Sequence, residues 1–391
     1  MFEVDATSDI TLIHQREYEI TDKNERIAIA EAPGRIHFLG EHSQIGSAMY
    51  LSAGIDLSVE VALSPRKDNS LRFFTAQPCE RKRTTVMNIK YKREDRWANH
   101  IKLALCLFAD LGFQIKGMNW TISSTIPQNV SLAAAESIEV AAALALKRFF
   151  KSTISDRKLI EKLSEVHNSF YPDDHRFVDY IIMLEACKDT LLVVDEAALS
   201  VKKIKSPFPK YRIIIVDSKV PFVGIEEELK IRREQLRRGL EILTKKRQAK
   251  SFRDFIGADL IEVIGDLDEE VRRRSMHAIK ELSRITDAAR ALEEGDLPSL
   301  ARTIFHSHES LRDLYEVTCP ELDWLVKRAQ EIEGVLGARM TGKGFGGCIY
   351  VILPPEKVDE YLSKMEDYER IFGFHAVHYE VKPGGGARTL K

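Results

Sequence analysis

The 391-residue chain lacks an excess of charge of either sign: 58 Lys and Arg stand against 60 Asp and Glu, a formal net charge of -2. That balance leaves no electrostatic footprint for nucleic acid or for an anionic membrane surface. Paired cysteine is missing as well. The five cysteines (Cys79, Cys106, Cys187, Cys319 and Cys348) are odd in number and scattered, with no Cys-x-x-Cys pair. They argue against a disulfide framework or zinc site and for reduced packing residues. No apolar run approaches the length of a membrane span. The first residues, Met1-Phe2-Glu3-Val4-Asp5, are acidic where a secretory signal would be basic and then apolar. A cytoplasmic protein is expected, with neither nucleic acid nor membrane among its partners. There is also no internal repeat and no low-complexity segment. What remains, 44% hydrophobic and 30% charged residues over a length sufficient for two domains, is ordinary for a globular protein.

Strand-like segments come early, at 26–32, 54–63 and 71–75, followed by a helical pattern over 97–111 and a strand over 118–125. Pro127 ends that strand ahead of a long apolar helix over 132–150 and a polar helix over 156–169. After the loop Tyr171-Pro172-Asp173-Asp174 come strands at 190–194 and 212–216. The stretch Ser206-Pro207-Phe208-Pro209 between them predicts a domain boundary, giving domains 1–205 and 206–391. The second half reads as helices over 225–243, 269–293, 297–314 and 320–331, then strands and a helix over 335–340, 347–353, 355–365 and 377–381. Without a regular strand-helix repeat, the fold class is α+β and not a doubly wound parallel sheet. The run Arg272-Arg273-Arg274 reads as a solvated helix face. His306 and His308 read as structural residues of an exposed helix, and Cys319 and Cys348 as packing residues.

Two segments carry chemistry. Gly337-Ala338-Arg339-Met340-Thr341-Gly342-Lys343-Gly344-Phe345-Gly346-Gly347-Cys348 places five glycines in eleven residues ahead of the apolar run 349–353. Such a backbone passes close to a ligand or to a neighbouring strand. The other segment is Ala32-Pro33-Gly34-Arg35-Ile36-His37-Phe38-Leu39-Gly40-Glu41-His42-Ser43-Gln44, where two glycines allow tight turns beside Arg35, Glu41 and His42. An arginine fork with Glu and His would suit a phosphorylated or hydroxylated ligand. A strand-turn-strand with an incidental ion pair would read the same way.

The 32–44 segment resembles the N-terminal signature of galactokinases, members of the GHMP family of small-molecule kinases, in which Pro-Gly-Arg leads into Gly-Glu-His. Residues 339–348 resemble that group's third motif, with Lys343 in place of glycine. The stretch from His308 to Asp323 and the ending Lys382-Pro383-Gly384-Gly385-Gly386-Ala387-Arg388 are similar to galactokinases as well. The resemblance covers nearly the whole chain. It implies a two-domain α+β GHMP kinase fold with the active site in the cleft between the halves. The implied reaction is ATP-dependent phosphoryl transfer to the anomeric hydroxyl of galactose or a related sugar, with ATP and Mg²⁺ as cofactors. Asp179 takes the place of the catalytic aspartate and Arg35 that of its arginine partner.

Against that pattern several positions depart. The phosphate loop of the family, Pro-x-Gly-x-Gly-Leu-Ser-Ser-Ser before a helix, is matched by the stretch Pro127-Gln128-Asn129-Val130-Ser131-Leu132-Ala133-Ala134-Ala135-Glu136. Asn129, Ser131, Ala133, Ala134 and Ala135, with Gly344 and Gly346 of the third motif, are the expected nucleotide-binding positions. The serine hydroxyls that would ligate Mg²⁺ are replaced by alanine, and the family's metal-binding glutamate is His167, so no protein ligand to metal is expected. Asp173 and Asp174 read as solvated. The sugar positions are Glu41 and His42, which match, and Gln44, Arg176 and Leu229, which do not. A small-molecule sugar is the expected partner, and the sequence does not say whether there is a protein partner. Two function classes follow: a working galactokinase-like kinase, or a homologue that keeps the fold as a sugar-binding or regulatory protein.

Overall fold

In the computed structural model, residues 9–22, 26–43, 45, 48–128, 130–171, 177–221 and 224–390 are described. Helix α1 (Ile10–Glu17) precedes β1 (Ala28–Leu39), β2 (Met49–Pro65), β3 (Ser70–Thr75) and β4 (Glu80–Thr85). Then come α2 (Ala98–Asp110), β5 (Met118–Ser124), α3 (Ala134–Phe149), α4 (Asp156–Phe170), α5 (Phe177–Glu185), β6 (Thr190–Asp195) and β7 (Ser200–Lys205). The remainder holds β8 (Arg212–Asp217), α6 (Ile225–Arg247), α7 (Leu260–Ile264), α8 (Glu269–Glu294), α9 (Leu297–Ser310) and α10 (Pro320–Gln330). It closes with β9 (Gly337–Thr341), β10 (Cys348–Leu353), α11 (Val358–Met365), α12 (Asp367–Phe372), β11 (Val377–Val381) and β12 (Arg388–Thr389).

Two sheets organise these elements. The first runs β12-β1-β2-β5-β3-β4, with β6 and β7 continuing from the other end of β2. At 17 residues β2 is long enough to pair with β5 over Val59–Pro65 and with β6 over Met49–Ser52. All pairs are antiparallel except β3 with β5. Helix α3 crosses β1 and β2, burying an alanine-rich face in the larger apolar core. The second sheet, β11-β8-β10-β9, is antiparallel throughout. Its other face packs a second core with α6, α8, α10 and α11. The chain's last strand, β12, returns to the first sheet beside β1.

Several expectations are corrected. Gly34 is not a turn: β1 runs through it, with a register shift between Pro33 and Arg35, and a Cβ there would meet Leu132 O at 2.9 Å. Gly40 does turn the chain, at φ +104°. The polar edge strands β4 and β7 and the apolar helix α5 escape hydrophobic periodicity. Helix α9 ends at Ser310, and Leu311–Tyr315 is a π-helical turn. The Arg272–Arg274 run is not all solvated, because Arg274 is buried and donates to Leu314 O and Glu316, which Arg273 also pairs. His308 is buried too, with Nε2 3.1 Å from Asp323 Oδ1.

Three buried imidazoles tie fold to pH. Burial pulls His14, His37 and His277 down from 6.5 to about 4. His14 bridges Thr121 Oγ1 at 2.8 Å and Ser64 Oγ at 2.9 Å, joining α1 to the sheet. These groups are neutral when folded, whereas the unfolded chain protonates them below its ordinary value, so the unfolded state binds more protons between pH 4 and 6.5. Stability therefore falls as pH falls through that window, by roughly 2 kcal/mol per histidine between pH 7.5 and 5. Urea melts at the two pH values should show the loss, and His14→Gln should reduce the difference by roughly 2 kcal/mol, the contribution of that one group.

Candidate active site

The geometry begins on β1. Successive side chains of a strand alternate, so Arg35 and His37 share a face, and both reach Asp179 on the first turn of α5. Arg35 donates from Nε to Asp179 Oδ1 at 2.6 Å and from Nη2 to Oδ2 at 3.0 Å, a bidentate fork. His37 Nε2 lies 3.0 Å from the same Oδ1, and its Nδ1 lies 2.7 Å from Ser52 Oγ on β2. All four side chains are buried. Burial alone would push the Asp179 carboxyl upward, but Arg35 and the His37 hydrogen bond outweigh it and hold the group well below the usual carboxylate range. Burial opposes the Arg35 charge in turn, and Asp179 overrides it, raising that guanidinium.

Helix α5 is itself fixed from both ends. Next to Asp179, the Tyr180 hydroxyl donates to Glu139 Oε2 of α3. Glu139 also accepts from His100 Nδ1 at 2.7 Å, and His167 Nδ1 lies 3.2 Å from the Tyr180 hydroxyl. Burial pushes the Glu139 carboxyl up, but the two histidines prevail and bring it down to about 2. At the far end Ala387 N donates to Met183 O at 2.7 Å, and a Cβ on Gly386 would meet Ala186 O at 2.8 Å. The glycine-rich tail therefore lies against the last turn of the helix that carries Asp179.

The candidate phosphate loop meets the same arginine. Arg35 Nη1 donates to Ser131 O at 2.8 Å, and Arg35 N to Leu132 O at 3.1 Å. Ala133 is left-handed, at φ +61° and ψ +41°, and among the described residues no side chain caps the 16-residue α3 behind it. Ala134 and Ala135 begin that helix, whose amino-terminal dipole favours an anion. Glu136 sits in this first turn. Burial and Asp179 push its carboxyl upward. The third motif closes on the loop: Gly342, at φ +93°, has no room for a Cβ, which would stand 2.3 Å from Ser131 Oγ. Gly344 is as confined, by Val317 O at 2.3 Å, and Gly346, at φ +125°, less so, by Val220 at 3.0 Å.

Glu41 and His42 face the second sheet. Glu41 is fully buried; Oε2 accepts from Arg339 Nη1 at 2.8 Å and Oε1 accepts from Gly342 N. His42 Nε2 lies 3.1 Å from Gly342 O and the ring lies 5.0 Å from Tyr315. Glu281 of α8 completes the cluster, accepting from Gly40 N at 3.1 Å and from Ser307 Oγ at 2.7 Å, with Arg339 Nη2 at 3.4 Å. Leu229 of α6 is buried in the second core. Gln44, Asn129, Arg176, Asp173 and Asp174 lie outside the described residues. Sequence reasoning missed His37, Ser52, Glu136 and Glu281. The period of two on β1 would have found His37, and Glu136 stands in the segment matched to the phosphate loop; Ser52 and Glu281 have no local signal.

His167 does not suit Mg²⁺. Its Nδ1 lies 3.4 Å from Glu139 Oε2 and its ring 4.8 Å from that of Tyr171, so an imidazole is set where a hard cation would need oxygen. Among the described residues no three His, Cys, Asp or Glu side chains come together to hold a metal ion, and no helix is long and apolar enough to cross a membrane.

Comparison with known proteins gives the family and the fold. Residues 14–65 match the galactokinase galactose-binding signature and residues 288–370 match the GHMP kinases C-terminal family. Galactokinase of Lactococcus lactis, solved in complex with galactose, superposes with a TM-score of 0.88 at 24% identity, covering 97% of this chain and 100% of that one. Mevalonate kinase of Methanococcus jannaschii superposes with a TM-score of 0.66 at 17% identity, covering 92% and 99%. These likenesses show the fold, the two-domain α+β fold of GHMP kinases. Galactokinase of Thermotoga maritima is 30% identical over 363 residues, 92% of this chain and 99% of its own. A relative from Treponema pallidum (strain Nichols) is 34% identical over 382 residues, 96% and 95% of the two chains. The chain belongs to the galactokinase family of GHMP kinases.

The Arg339 cluster yields a stability test. Replacing one partner of a buried pair leaves the other charge uncompensated, at a cost of about 3–5 kcal/mol. Arg339→Met should lose that much in urea unfolding at pH 7.5, and adding Glu41→Gln should recover part of it.

Proposed function

We propose that this protein is an ATP-dependent sugar kinase that phosphorylates the anomeric hydroxyl of galactose or a closely related sugar. The buried Asp179–Arg35 fork beside the amino terminus of α3 carries the reading, because it joins a base to an anion-favouring helix end. The Thermotoga maritima relative's name supports the activity, and the galactose in the Lactococcus lactis complex supports the sugar.

In this mechanism the sugar hydroxyl loses its proton to Asp179 as its oxygen attacks the γ-phosphorus of ATP. The bond from that phosphorus to the β-bridging oxygen breaks, ADP leaves, and Asp179 returns the proton to water. Arg35 keeps Asp179 ionised and offsets charge on the transferring group. Backbone N–H groups at the start of α3, around Ala133, Ala134 and Ala135, face the phosphates, and the loop of Gly342, Gly344 and Gly346 shapes the adjoining wall. No step is assigned to a protein-held Mg²⁺. Glu41 ties Arg339 and Gly342 to the first sheet, and His42 holds the turn beside it. We assign the functional halves to 1–205 and 206–391, with the tail after β11 serving the first half.

The test is ADP release from MgATP across a panel of sugars that includes galactose, N-acetylgalactosamine and uronic acids. Galactose-dependent turnover is expected, and Asp179→Asn should lower kcat by about 10³-fold, within the usual range for a lost general base. Absence of turnover with every sugar, from protein shown to be folded, would remove the kinase reading.

A further inference from the structure

We propose that His37 is a positioning residue that occupies one oxygen of Asp179, leaving Oδ2 as the atom that takes the sugar's proton. The inference rests on the reading of Asp179 as the base, and it concerns which of its oxygens reacts and what holds it there.

The tautomer follows from the chemistry of the partners. An ionised carboxylate only accepts hydrogen bonds, so the nitrogen 3.0 Å from Asp179 Oδ1 carries the proton and donates it. Nδ1 is then the acceptor, and the Ser52 hydroxyl, 2.7 Å away, donates to it. Ser52 therefore fixes the ring in the form that serves Asp179. Tyr50, with ring centroids 4.9 Å apart and an interplanar angle of 31°, packs against the imidazole and restrains its rotation.

Counting donors then separates the two oxygens. A carboxylate oxygen has two lone-pair sites. Oδ1 receives Arg35 Nε at 2.6 Å and His37 Nε2, which fill it. Among the described residues Oδ2 receives only Arg35 Nη2, at 3.0 Å, and keeps one site for a substrate hydroxyl. A histidine suits the position better than a second cation would. Burial and the Arg35 charge keep it neutral, down to about 4, so it supplies a donor without a second full charge to weaken the base. With a side chain that cannot donate at this position, both oxygens would have a free site, and the Arg35 fork alone would not select the one that meets the sugar hydroxyl.

Two variants and a spectroscopic reading test this. His37→Phe keeps the ring volume and loses the donor; His37→Gln restores an amide N–H near the place of Nε2. Misplacing a reacting group by about an ångström costs on the order of 100-fold. Galactose-dependent ADP release by His37→Phe should therefore show kcat lowered by about 10- to 100-fold with both KM values within about threefold, and His37→Gln should recover most of the loss. Asp179→Asn runs alongside. If it abolishes turnover while His37→Phe keeps kcat, the positioning role is overturned and the base stands. If Asp179→Asn turns over normally, the base reading falls and this inference with it. A kcat loss that Gln does not restore, or a change confined to KM, marks packing and also overturns it. Should His37→Phe fail to fold, ¹⁵N-histidine NMR of the intact protein decides, with His37→Gln identifying its signal among the 11 histidines. An Nε2-protonated, neutral ring from pH 6 to 9 is expected. An Nδ1-protonated ring, or titration in that range, contradicts the proposal.

Discussion

The structure depends on keeping one ionised carboxylate out of water. Asp179 is fully buried, and burial alone would favour its neutral form. Two side chains from a single strand prevent that, a bidentate guanidinium and a neutral imidazole. Buried ion pairs are seldom more stabilising than apolar residues of similar volume, so packing alone gives little reason for this one. Its perturbed carboxylate beside an uncapped helix start has the character of a functional site. Much of the surrounding architecture is explained by the need to hold it. The strand is threaded through Gly34 so that Leu132 O approaches closely, and α5 is tied on one side by Glu139 and on the other by the glycine-rich tail.

The second constraint lies between the sheets. Glu41, Arg339 and Glu281 are all fully buried, and together they join the turn after β1 to β9 and α8. The third motif follows directly from Arg339, and its glycines admit Ser131 and Val317 where any Cβ would collide. The three sequence motifs are thus one contiguous contact: the first motif supplies Arg35 and Glu41, the second Ser131, the third Gly342. A shift of the second sheet would be felt at the start of α3 and through it at Arg35.

The family could be read from the motifs and the α+β class from the irregular order of strands and helices, whereas the pairing of Arg35 with Asp179, 144 residues apart, was implied only by the resemblance. Most helix and strand positions followed from apolar periodicity to within a few residues. The rest depended on information that periodicity does not hold. Strands β4 and β7 carry charged side chains on an exposed edge, and α5 is apolar on nearly every side, so neither shows the alternation that marks its type. The burial of His308 and Arg274 comes from tertiary partners, Asp323 and Glu316. Glu41 reads locally as a ligand to a hydroxyl, whereas its nearest cation is Arg339, 298 residues away. His37 was visible in principle, two residues beyond Arg35, but its role needs Ser52 and Asp179 from other elements.

In the proposed reaction Asp179 and Arg35 direct a phosphoryl group onto an anomeric oxygen. The most direct test is NMR of the product formed from MgATP and galactose. A ³¹P phosphomonoester resonance coupled to the anomeric proton, appearing together with ADP, is the predicted result. Release of inorganic phosphate alone, or an ester on any other hydroxyl, would contradict it.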